Sequence, residues 1–98
     1  MNEIKVSSIT GANAISIQGG SKLYAVLIKE FPKQEKIILD FRDVEVFASP
    51  YFNASIGLLF KDYELNDILS KIAINNLSPI GKQLLNHVIA NALTFYKE

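Results

Sequence analysis

The sequence predicts an α/β domain of order ββαβαβα, a four-stranded mixed sheet carrying three helices. Two observations point to it. Lys36–Phe41 holds the continuous apolar run Ile37-Ile38-Leu39, the mark of a central strand. Ser49-Pro50 and Ser78-Pro79 each open a stretch whose apolar residues recur at helical spacing, and Ser followed by Pro is a strong start signal.

The elements follow in order. Glu3–Ser7 and Ala14–Gln18 read as short strands, the second with Ile15 and Ile17 alternating. Thr10-Gly11-Ala12-Asn13 has turn chemistry, so the two are expected to form an antiparallel hairpin. Gly19-Gly20-Ser21 is expected to break the chain and cap a helix over Lys22–Phe31, with Leu23, Leu27 and Phe31 on one face. Pro32 and the polar Lys33-Gln34-Glu35 end that helix. After the central strand a short apolar piece reaches Phe47. A second helix then runs from Pro50 to about Leu65, burying Phe52, Ile56, Leu59, Phe60 and Tyr63. Lys71–Asn75 is a last strand. The final helix reaches about Tyr96, with Ile80, Leu84, Val88, Ala92 and Phe95 as its apolar face. If all three helices cover one face of the sheet, the other face is left as a partner surface.

Composition narrows the function. The chain has 98 residues, enough for a single domain over 1–98 with its own core. Lys and Arg balance Asp and Glu at ten each, so no electrostatic footprint for nucleic acid or anionic lipid is expected. Without cysteine there are no disulfides, thiolate nucleophiles or thiolate metal sites. No apolar run approaches the roughly 20 residues of a membrane span, and Met1-Asn-Glu-Ile-Lys lacks a signal-peptide core. A cytoplasmic protein without a cofactor is the expectation.

Few residues look chemical. Ser49 is expected to cap the second helix, and its position at a helix start also suits a phosphoryl group. Tyr51 cannot share the buried direction of its neighbour Phe52 and is expected to be exposed. Asp40, Asp43 and Glu45 stand near strand ends and could serve a divalent metal, although an Asp there more often accepts loop N–H bonds. His87 is the sole histidine and has no acidic neighbour on its helix face. Gly19-Gly20-Ser21-Lys22 lacks the spacing of a phosphate-binding loop.

The Gly-Gly-Ser before the first helix, the run Ile-Leu-Asp-Phe-x-x-Val-x-x-Phe from Ile38 to Phe47, and Asn76-Leu-Ser-Pro79 resemble the STAS domains. These are the anti-sigma-factor antagonists and their relatives. The likeness is greater to small bacterial STAS-like proteins of unsettled function, and it covers the chain from Ala14 onward. It implies a non-enzymatic regulatory module that docks a protein partner of the ATP-binding, kinase-like class. In antagonist STAS domains the segment after the Phe reads Asp-Ser-Ser/Thr-Gly, and the first hydroxyl is phosphorylated. Ser49 falls where that Asp stands, Pro50 where the acceptor stands, and Tyr51 where the next Ser stands. Pro accepts no phosphoryl group, so the resemblance implies partner binding through Ser49, Tyr51 and Asn53 without the usual acceptor. Ser49 is the neighbouring hydroxyl. The alternatives are a metal-dependent enzyme using Asp40 and Asp43, and a structural homo-oligomer.

Overall fold

The computed structural model describes residues 2–33 and 36–97. The predicted exit of the first long helix through Gln34-Glu35 therefore lies outside the described residues. The observed order is β1 (Asn2–Lys5), α1 (Ser7–Thr10), β2 (Asn13–Ala14), α2 (Ile17–Glu30), β3 (Ile37–Asp40), β4 (Val46–Phe47), α3 (Ser49–Asn53), a 3-10 helix (Ile56–Lys61), α4 (Leu65–Lys71), β5 (Ile72–Asn75) and α5 (Pro79–Lys97).

The strands do not join into one mixed sheet. β3 is central to a parallel sheet of order β1-β3-β5, with Glu3, Ile38 and Ala73 in one register row and Lys5, Asp40 and Asn75 in another. β2 pairs in parallel with β4 as a separate two-stranded sheet. The predicted antiparallel hairpin of the first two strands is thus corrected. Its turn residues instead follow a one-turn helix, closed by the N–H of Thr10 and the carbonyl of Val6 at 2.9 Å. The turn chemistry at Gly11 (φ 83) is real, but it redirects the chain to a different sheet.

Three helix readings also change. α2 starts five residues before the predicted Lys22, because Ser16 rather than Ser21 caps it, accepting the Gly19 N–H at 3.0 Å. Gly19 and Gly20 lie inside the helix. The predicted long second helix is three pieces. Ser55 is fully buried, and its hydroxyl donates to the Tyr51 carbonyl at 2.9 Å. Such back-bonding competes with the helical ladder, and Ser55 itself leaves helical geometry (φ −119, ψ −98). The chain then resumes as a 3-10 helix and, past Tyr63, as α4.

The third change is the buried face of α5. It runs through Gly81, Leu85, Val88 and Ala92, while Ile80 and Phe95 are 68% and 77% exposed. Apolar residues at both 84 and 85 make two stripes of the right period. Gly81 selects one of them, since a Cβ there would lie 2.6 Å from Leu77 Cδ1. The Ser78-Pro79 start is found as read, with Ser78 Oγ accepting the Gly81 N–H at 3.1 Å.

Ile37, Leu39 and Ile72 point into a core shared with Leu23, Leu27, Phe41, Phe52, Ile56, Leu59, Phe60 and Val88. The opposite sheet face carries exposed Glu3, Lys5 and Asn75 beside half-buried Ile38 and Ala73. Far from the sheet centre, Lys71 lies over the Phe31 ring at 5.2 Å and donates to the carbonyls of Phe31 and Lys33 beyond the end of α2. That ties α4 to α2 at the negative end of its dipole.

Ile56 is 2% exposed and packs in this core. Ile56→Ala should lower unfolding free energy by about 2–5 kcal/mol in a denaturant titration, through lost burial and the cavity it leaves. A loss below about 0.5 kcal/mol would place Ile56 outside the core.

Candidate functional site

The segment from Asp40 to Asn53 carries the candidate site, and its positions are fixed by the sheet end. Phe41 donates its N–H to the Asn75 carbonyl and Val6 donates to the Asp40 carbonyl, both at 2.9 Å, so the three strands finish together. The Asp40 carboxylate continues this tie beyond the strands. Its Oδ1 accepts the Arg42 N–H at 3.0 Å and the Asn76 carboxamide at 2.8 Å. Asp43 (φ 71) and Asn76 (φ 61) both adopt the left-handed conformation that Asp and Asn tolerate best, which turns the two loops toward each other. The Asn76 hydrogen bond, then that of Arg42, holds the Asp40 carboxyl below its ordinary value.

The chain next pairs β4 with β2 and enters α3 through Ala48, the N-cap residue in extended geometry. Ser49 is the first helical residue and Pro50 the second. The expected Ser49 cap is therefore corrected. The N-cap position is taken by Ala48, and the half-buried Ser49 hydroxyl has no partner among the described residues.

The expected exposure of Tyr51 is corrected as well. Its side chain is fully buried, and its hydroxyl lies 2.8 Å from Thr10 Oγ1 in α1. Burial pushes the phenol above its ordinary value, against the smaller lowering effect of the Thr10 bond. Phe52 is also buried, stacked on Phe47 with centroids 5.7 Å apart. Both residues find buried directions because α3 is wedged between layers: Tyr51 faces α1 and α2, and Phe52 faces the sheet side. A helix with one covered face would have left one of them outside.

Asn53 is exposed, as read. It lines a cleft of about 330 Å³ with Gly57, Asn91, Ala92, Phe95 and Tyr96. Among the described residues the side chains of Asn53 and Asn91 have no hydrogen-bond partner. Gly57 forms a tight crossing beside it, since a Cβ there would lie 2.9 Å from Val88 Cγ1 on α5 and 3.0 Å from the Phe52 carbonyl oxygen. Asn91 and Gly57 were not legible as site residues, and Phe95 was assigned to the core. An isolated Gly inside a helical pattern was the available signal for close approach.

The acidic residues do not converge. Among the described residues no three His, Cys, Asp or Glu side chains stand close enough to hold a metal ion. The Asp40 carboxylate accepts from Asn76 and from the Arg42 N–H and so latches the loops after β3 and β5. His87 is exposed beside Ile80, Gln83 and Leu84 on the outer side of α5. No described helix is long and apolar enough to cross a membrane.

With that geometry in view, the comparisons place the chain. It belongs to the family of STAS-like domains of unknown function, whose sequence pattern matches residues 19–91. No curated protein and no solved structure matches it. The matched span runs from the glycines of α2 to the middle of α5 and includes the whole Asp40–Asn53 segment.

The depressed Asp40 value has a sign that can be checked. A carboxyl held low in the folded state adds stability above its unfolded pKa and loses it as pH falls through the folded one. The gap in melting temperature between the wild type and Asp40→Asn should be full at neutral pH and close as the pH drops below the ordinary value of 3.8. A gap that stays constant from neutral pH to pH 2 would mean Asp40 titrates no differently in the two states.

Proposed function

We propose that this chain is a non-enzymatic regulatory module that docks a protein partner through the surface of half-buried Ser49 and exposed Pro50 and Asn53. The observation that carries the reading is the wedging of α3. Its inward residues Tyr51 and Phe52 are fully buried, so its outward residues are presented in one arrangement. A surface fixed before the encounter loses little entropy on binding. The likeness to anti-sigma-factor antagonists supports a partner of the ATP-binding, kinase-like class, and the neutral chain suits an interface without a charged patch. Tyr51 takes no part in direct contact; it holds the segment from within. Ser49 carries a hydroxyl without a partner among the described residues, and it is the candidate for a phosphoryl group if the partner regulates docking. Nothing in the side-chain arrangement favours the metal-dependent reading over this one.

The test is titration calorimetry of the full chain against an ATP-binding, kinase-like protein of the proposed class. Ser49→Arg and Asn53→Arg should each weaken binding about tenfold or more with the melting temperature unchanged, as hot-spot positions do. The doubly substituted Asp40→Asn, Asp43→Asn chain should bind like the wild type. Full affinity in both arginine variants, with loss only in the aspartate variant, would move the contact to the end of the sheet and overturn the proposal.

A further inference from the structure

The cleft between α3, the 3-10 helix and α5 shares Asn53 with the proposed docking surface, but the rest of its lining is left unused by partner docking. Its lining is neutral: two carboxamides, two aromatic rings, a glycine and an alanine. At about 330 Å³ it falls within the range of small-molecule sites. Phe95 is 77% exposed, yet its ring is already oriented, set edge to face against Tyr96 at 4.8 Å and 88°. Such an exposed aromatic face is a stacking platform that needs no ordering when a planar ligand arrives.

The two carboxamides narrow the ligand further. Each presents a donor and an acceptor side by side, and neither has a protein partner among the described residues. A trans peptide group points its N–H and C=O to opposite sides, so it can engage only one arm of a carboxamide at a time. A heterocycle with adjacent donor and acceptor on one edge engages both, as adenine does through N6 and N7. Among the described residues the lining has no charged side chain, so no described group there would hold a phosphate.

We propose that this cleft binds a neutral planar heterocycle of the adenine type, stacked on Phe95 and read along its edge by Asn53 or Asn91. The site recognises the base and not the phosphates of a nucleotide. Asn91 and Phe95 stand on α5, away from Ser49 and Pro50, so the proposal can fail while partner docking holds.

The test is a titration of the isotope-labelled full chain with adenosine, followed by the side-chain amide signals of Asn53 and Asn91 and the ring signals of Phe95. Saturable shifts at Phe95 and at least one carboxamide are expected, and adenosine monophosphate should bind within about twofold of adenosine. Phe95→Leu keeps an apolar side chain but removes the stacking face, and it should weaken binding about tenfold. The double variant Asn53→Ala, Asn91→Ala should weaken it comparably. Both variants alter exposed side chains, and unchanged melting temperatures would confirm their folding. Several results would overturn the proposal: no saturable shift up to the solubility limit of adenosine, shifts confined to other residues, or wild-type affinity in both variants. Markedly tighter binding of the monophosphate would also overturn it, by revealing a phosphate site. A chain that docks its protein partner but ignores adenosine would lose this inference and keep the docking proposal.

Discussion

The crossing of α2 over α3 at Gly20 is the constraint on which the rest of the structure depends. A Cβ at position 20 would stand 2.4 Å from the Tyr51 carbonyl oxygen and 2.8 Å from Ala54 Cβ, so only glycine permits this approach. The same carbonyl accepts the buried Ser55 hydroxyl, which takes part in ending α3. With α2 this close, Tyr51 is enclosed and its hydroxyl meets Thr10. One backbone contact therefore joins the burial of Tyr51 to the break before the 3-10 helix. Packing at such density leaves little freedom to either of them.

Gly57 repeats the device on the far side, where the chain meets Val88 of α5 and the Phe52 carbonyl. The segment between the two glycines is thus gripped by α2 and by α5. What it exposes follows from that grip. Ser49 and Pro50 come out at its start and Asn53 at its end, beside the cleft shared with α5. At the sheet end the Asp40 latch joins the loops after β3 and β5, so the chain leaves the sheet toward α3 from a fixed point. Among the described residues no three His, Cys, Asp or Glu side chains gather, and the Asp40 carboxylate is already hydrogen bonded to Asn76 and Arg42.

Much of this was legible in the sequence. The continuous Ile37-Ile38-Leu39 run marks the central strand, and Ser78-Pro79 marks the start of α5, because both signals are local and self-sufficient. The buried positions Phe52, Ile56 and Leu59 also follow from spacing, even though the helix that carried the spacing is broken. Strand pairing was not legible. β1 and β2 are near in sequence, but each finds a parallel partner more than 30 residues away, and no local signal encodes that choice. The glycines were misread for a related reason. Gly19-Gly20 looks like punctuation when judged by propensity, and its true use lies in a carbonyl 31 positions along the chain. Of the site, Asn53 was found as an exposed position at helical spacing. Tyr51 was misplaced because a helix covered on two sides can bury adjacent residues, and Asn91 and Phe95 belong to a cleft that only the tertiary fold assembles.

The most direct test of the account is the stability of Gly20→Ala, measured by denaturant unfolding beside Ser21→Ala at the exposed neighbouring position. In an unobstructed helix, replacing Gly by Ala stabilises by about 1 kcal/mol. The crossing described here predicts the opposite sign: Gly20→Ala should lose about 1–3 kcal/mol through overpacking, while Ser21→Ala does not destabilise. A Gly20→Ala protein as stable as the wild type, or more so, would contradict the close approach of α2 to Tyr51 and with it the presentation of α3.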